Sequence, residues 1–204
     1  MGRLLTSNVR QHNLDGKMVG LSESLRVIAE AARAAAARVL GNPSLYSVLV
    51  DLRETKSEPR PVKLRFGFQR LRRWPIIGDR LKDCWVDVIL DPYSVEIGSV
   101  GNYGRQQFKQ LANIQGIEFP APRMDLDSLR IEPVGVLRIL KNKPLGVGAG
   151  YGRVDLGLTH YEGHLSWRVL QEVQNVGFRT LLLHAGDGHV LFEKVDHWCE
   201  PDPR

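Results

Sequence analysis

Twice along this chain, a run whose apolar residues recur three and four positions apart gives way to runs in which they alternate. The first spacing builds one face of a helix and the second one face of a strand, so the order of periods limits the folds available. A helix is predicted over about Ser22–Leu40, with Leu25, Ile28, Ala29, Ala32, Ala36 and Val39 on one face. Arg26, Glu30, Arg33 and Arg38 take much of the other side. Ser22 is placed to cap the helix, Glu23 suits its first turn, and Gly41-Asn42-Pro43 stops it.

Period two follows. Tyr46, Val48, Val50 and Leu52 form one apolar face, with Leu49 interrupting the polar side. Val62, Leu64, Phe66 and Phe68 alternate cleanly against Lys63, Arg65 and Gln69, and Cys84, Val86, Val88 and Leu90 alternate against Asp83, Asp87 and Asp91. Asp91-Pro92-Tyr93-Ser94 reads as a turn, after which Val95 and Ile97 continue outward. These are half-buried antiparallel strands, one face covered by the preceding helix. Between residues 105 and 124 the composition shifts, and Phe119-Pro120-Ala121-Pro122 is an extended connector incompatible with a helix.

The pattern then restarts. Pro133 opens a short helix through Val134, Leu137 and Leu140, ending near Lys141-Asn142. Val154, Leu156 and Leu158 point inward on one strand, Leu165, Trp167 and Val169 on the next, and Phe178 to Leu183 make a third. Asp187-Gly188 is a tight-hairpin signal, with Val190-Leu191-Phe192 returning after it. The expected fold class is therefore α+β. It comprises an N-terminal extension (1–20), a first helix-plus-antiparallel-meander unit (21–104), a linker (105–124) and a second such unit (125–204), a tandem structural repeat.

At 204 residues the length suits one large domain or two of modest size. Hydrophobic content of 43% and charged content of 25% are those of a globular chain with a core. No apolar run reaches the roughly 18–20 residues of a membrane span, and the first residues lack the pattern of a signal peptide. A cytoplasmic protein is expected, or an extracytoplasmic one if a targeting segment has been removed. The formal net charge of +5 bears on solubility before it bears on partners. Cys84 and Cys199 are read as free thiols, being far apart and in no metal-type pair.

His160-Tyr-Glu-Gly-His164 lacks the spacing of a zinc-protease helix, and Gly163 places it in a hairpin turn. Adding His184, His189 and His197 would make a zinc site only if several strand ends converged, so no metal and no cofactor is assigned. The glycines of 145–152 follow a helix and precede a strand, the reverse of a phosphate loop. Asp83, Asp87 and Asp91 are too widely spaced along one strand for a carboxylate dyad, and no Gly-x-Ser-x-Gly elbow occurs. No catalytic residue is assigned. One stretch stands out: Arg70, Arg72 and Arg73 cluster beside Trp74 in what should be a loop between strands. Guanidinium groups with an aromatic suit single-stranded nucleic acid or RNA, an anionic membrane surface, or an acidic protein partner.

The second half resembles a PepSY-type unit. The matching stretches are Ile131-Glu132-Pro133-Val134-Gly135-Val136-Leu137, Leu165-Ser166-Trp167-Arg168-Val169, and Leu182-Leu183-His184-Ala185-Gly186-Asp187-Gly188-His189-Val190. His184 stands where that family usually has Asp, and Gly135-Val136 replaces small alanine positions. The resemblance implies a cystatin-like helix on a curved sheet and a non-catalytic role in binding or regulating proteins, peptidases among them. The leading expectation is a protein- or peptide-binding regulatory module, with homodimerisation through sheet edges as a further arrangement. The alternatives are a small-molecule-binding or hydrolytic enzyme with a cavity between helix and sheet, and a nucleic-acid binder using the basic loop.

Overall fold

A computed structural model describes residues 21–53, 60–72, 80–90, 95–102, 121–142, 151–173 and 176–197. Helix α1 (Leu21–Leu40) leads into β1 (Ser44–Arg53), β2 (Arg60–Arg72), β3 (Arg80–Leu90) and β4 (Val95–Gly101). A 3-10 turn (Leu126–Ser128) and helix α2 (Pro133–Lys141) then lead into β5 (Tyr151–Tyr161), β6 (His164–Val173), β7 (Gly177–His184) and β8 (Val190–His197). The protein is thus a mixed helix and antiparallel-sheet structure, with more sheet than helix among the described residues.

All eight strands form one sheet, in the order β4-β3-β2-β1-β5-β6-β7-β8. Each run of four is a meander, and the two meet where β1 pairs antiparallel with β5, through Val48–Leu158, Leu49–Gly157 and Val50–Leu156. Among the described residues the strands do not close, and β4 and β8 are outermost.

The core lies on the helix side of this sheet. Leu25, Ile28, Ala29, Ala32 and Ala36 of α1 pack in one cluster with Val48, Val50, Leu64, Phe66, Phe68, Cys84, Val86 and Val88. The same cluster runs on through Val136 and Leu140 of α2 to Leu156, Leu158, Trp167, Val169, Leu181 and Leu183. Burying each large side chain here stabilises the fold by about 1.5–3 kcal/mol. The alanines of α1 let the helix approach β2, β3 and β4, over which it lies.

Several expectations shift by a residue or two. Val39 and Val134 were assigned to apolar faces but are exposed, and Leu40 and Val136 are buried in their place. Ser22 is the second residue of α1 rather than its cap. Tyr46 falls in a bulge between the pairs Leu45–Phe68 and Ser47–Gly67, so Leu45 joins the core ahead of Val48. The C-terminal end of the expected linker is part of the packed structure. Met124 is buried and donates its backbone N–H to the Leu45 carbonyl at 2.8 Å, and Ala121 is clasped at both backbone groups by the Gln69 side chain. The remainder of that linker, the Asp91–Ser94 turn and the glycines of 145–150 lie outside the described residues, as does Cys199. Cys84 is a buried free thiol, and burial, then the charge of Asp83, pushes it up to about 12, so it is not a thiolate at neutral pH.

Candidate functional site

The basic segment divides. Arg70 and Arg72 lie in strand β2, not in a loop, and are paired in register with Lys82 and Arg80 of β3. Arg70 is half-buried and turned toward the helix: its Nη1 donates to the carbonyl of Leu40, one of the groups that a helix C-terminus leaves without an intrahelical partner. A basic residue is favoured there by the helix dipole as well. Arg70 therefore has a structural task that its sequence context did not reveal. Arg73 and Trp74 lie outside the described residues.

A second cation–aromatic group sits on the sheet face away from the core. Arg65 Nε and Nη2 donate to the two oxygens of Asp87 at 2.6 and 2.8 Å, and its guanidinium lies 4.6 Å from the centre of the Trp85 ring. The outward parity of Arg65 and Asp87 was legible. Their adjacency was not, because it depends on the β2–β3 register, which pairs Arg65 with Asp87. The guanidinium fork and ring face are occupied by one another, so this group holds the sheet together.

The third grouping is at the other end of the sheet. The β5–β6 hairpin turns through Glu162 and Gly163, both at positive φ, so that Tyr161 and His164 face each other. The His164 ring stands edge-on to His184 with centroids 5.6 Å apart, and His184 lies 4.9 Å from His189. Between the last two sits Asp187 in the β7–β8 turn. Its Oδ1 is 2.8 Å from His184 Nδ1, 2.6 Å from His189 Nδ1 and 3.2 Å from the His189 backbone N–H, which donates to it. These interactions, the His184 one first, hold the Asp187 carboxyl well below the usual carboxylate range. An ionised carboxylate only accepts, so each ring nitrogen facing it carries a proton.

The strand ends therefore do converge, though with a different membership from the one the sequence suggested. His164, His184 and His189 come together. His160 pairs with Leu165 on the core side, where burial lowers its pKa. The sequence signal for this corner was the Asp187-Gly188 turn flanked by histidines at 184 and 189; which face each ring took was fixed only by register. Beside it, Tyr161 and Phe192 bring their rings to 6.4 Å, although β6 and β7 lie between their strands, so the sheet curls toward its outer face here.

The edge strand β8 completes this region. Its hydrogen-bonding partner is β7 alone among the described strands. Phe192, and Phe178 on β7, are each 38% exposed on the outer face. Glu193 is held by the buried Arg179 at 2.6 Å, and Lys194 pairs with Asp196 at 2.6 Å. Among the described residues no helix is long and apolar enough to cross a membrane. Neither a family model, nor a curated protein, nor a solved structure matches the chain.

Proposed function

We propose that this protein is a non-catalytic protein- or peptide-binding module, made of two PepSY-like helix-plus-meander units fused edge to edge through β1 and β5. In this reading β8 takes up an extended peptide as a ninth strand. The repeated element order and the mirrored strand order about the β1–β5 seam support the tandem arrangement.

The observation that carries the binding reading is the pairing of exposed aromatics on one face with a strand, β8, that has β7 alone as its neighbour among the described strands. An added strand gains main-chain hydrogen bonds from β8, and alternate side chains of the peptide reach the outer face. Phe178 and Phe192 lie at positions that pair with Asp196 and Leu182, about 13 Å apart along the strand direction at the usual rise. That spacing suits two apolar peptide side chains four residues apart. The charges of β8 are already paired, with Arg179 and within the strand, so they guard the edge against unspecific pairing without setting a strong charge preference.

The test is selection of peptides from a displayed random library against the intact chain, followed by amide hydrogen exchange on the complexes. Selected peptides should carry paired apolar residues and slow exchange across Val190–His197, and a Phe178→Lys, Phe192→Lys double variant should weaken them at least tenfold. Failure to enrich any peptide, or protection confined to β2, refutes the assignment. Reversing the charges of Arg72 and Arg73, with the Arg70 cap on Leu40 kept, should leave peptide affinity unchanged. Loss of single-stranded RNA binding in that double variant would move the function to nucleic acid.

A further inference from the structure

We infer that the β7–β8 turn is a binding site for a divalent transition-metal ion of the zinc class, with His184 Nδ1, a carboxylate oxygen of Asp187 and His189 Nδ1 as ligands. The ligand atoms of these residues all lie within 4.8 Å of one another. Two imidazoles and a carboxylate, with no thiolate, form a set preferred by Zn²⁺, Ni²⁺ and Cu²⁺ over Mg²⁺ or Ca²⁺.

To accept an ion the three ligand atoms, which lie within 4.8 Å of one another, need to even out their separations. Zinc binds these donors at about 2.0–2.1 Å, which places tetrahedral neighbours roughly 3.3 Å apart. The two histidine–carboxylate contacts, now 2.8 and 2.6 Å, would open by about 0.5–0.7 Å as the ion takes the place of the two Nδ1 protons, and a turn of the two imidazole rings would bring their Nδ1 atoms together onto it. Each neutral imidazole keeps one proton, which moves to Nε2 through solvent, and the ligands then carry one negative charge from Asp187. Three protein ligands leave a position for water or a ligand from outside.

The turn is held rigidly enough for the arrangement to be built in. The His184 backbone N–H donates to the His189 carbonyl and the Gly188 N–H to the His184 carbonyl, both at 2.9 Å. The Ala185 carbonyl accepts from the backbone of both Arg130 and Ile131, and the Ile131 carbonyl accepts from Trp167 Nε1 at 2.6 Å. From below, the backbone at Gly186 lies against the His184 ring, where a Cβ would come within 2.9 Å of it. The ring of His164 stands on its other flank. A ligand pair on so short and tethered a turn loses little freedom on binding.

The same contacts close the hairpin, so the test has to separate turn from metal. Zinc chloride is titrated into the intact chain by calorimetry, with Co²⁺ added separately to read its visible absorption. One ion per chain and tetrahedral-type Co²⁺ bands are expected. Asp187→Asn, which keeps an oxygen to accept from the His189 backbone, and His189→Gln should each weaken Zn²⁺ by about 10–100-fold, with unchanged circular dichroism. His160→Gln, on the other side of the sheet, should change nothing. In the unaltered protein, Co²⁺ should shift the imidazole proton resonances of His184 and His189 well ahead of those of His160, which needs no variant to fold. No uptake of Zn²⁺, uptake undiminished in both variants, or resonance shifts centred on other histidines would overturn the inference.

Discussion

Replacing Gln69 with Leu should destabilise the protein far more than a polar-to-apolar change in a sheet normally does. Gln69 is 4% exposed. Its Oε1 accepts from the Ala121 N–H at 3.1 Å, and its Nε2 donates to the Ala121 carbonyl. Leucine fills a similar volume but leaves both backbone groups of Ala121 without that partner, in a place where the residue itself is buried. An orphaned buried donor or acceptor costs about 1–3 kcal/mol, and the pair therefore roughly 2–6, less about 1 kcal/mol returned by the added apolar burial. A net loss of about 1–5 kcal/mol is a substantial share of the roughly 5–15 kcal/mol stability of an ordinary domain. With a urea slope of about 2 kcal/mol per molar, the midpoint should fall by roughly 0.5–2.5 M. Local exchange should show the cause: the Ala121 and Met124 amides should lose protection before the amides of β2. A loss below about 0.5 kcal/mol, with the Ala121 amide still protected, would refute the idea that this clasp ties the connecting segment to the sheet.

Two other perturbations test specific contacts. Arg70→Ala should cost about 1–2 kcal/mol in urea unfolding by leaving the Leu40 carbonyl uncapped; unchanged stability would return Arg70 to the pool of residues available for a partner. Burial, opposed by the charge of Arg26, pushes Glu132 up to about 7 from an ordinary 4.5. Between those values the unfolded chain has lost a proton that the folded chain keeps, so stability should fall as pH rises through the window, by at most about 1.4 kcal/mol per unit. Glu132→Gln should therefore match the parent near pH 4 and exceed it by about 1 kcal/mol at pH 8 once solvent screening is allowed for; parallel pH profiles for the two proteins would show that Glu132 is not the titrating group.

The helix of residues 21–40 and the inward-facing residues of β2, β3, β5 and β6 were legible because each depends only on local period and burial. What failed locally failed at element ends. Val39 fits the apolar stripe, but the chain leaves the helix at Gly41, whose φ is +85°, and the last turn buries Leu40 instead. The histidine corner was only partly legible. Its turn could be read from Asp187-Gly188, but the meeting of His164 with His184 requires β6 and β7 in the register that pairs Ser166 with His184. One residue of slip would send either ring to the opposite face.

The joining of both meanders into one sheet carried a sequence signal of its own, in the one strand whose alternation was imperfect. Leu49 interrupts the polar side of β1. On an edge strand an apolar residue at that position would have a neighbouring side chain to cover it on one side only, whereas a central strand has cross-strand neighbours on both. β1 is central: Arg65 of β2 and Gly157 of β5 lie opposite Leu49 on its two sides. Gly157 also eases the close approach at the seam, because a Cβ there would come within 3.1 Å of Leu49 Cδ2 and 3.3 Å of the Val48 carbonyl. The leucine that interrupts the polar side of β1 thus lies in one contact with a glycine of β5, at the place where the two meanders meet. Among the described strands, the seam leaves β4 and β8 outermost.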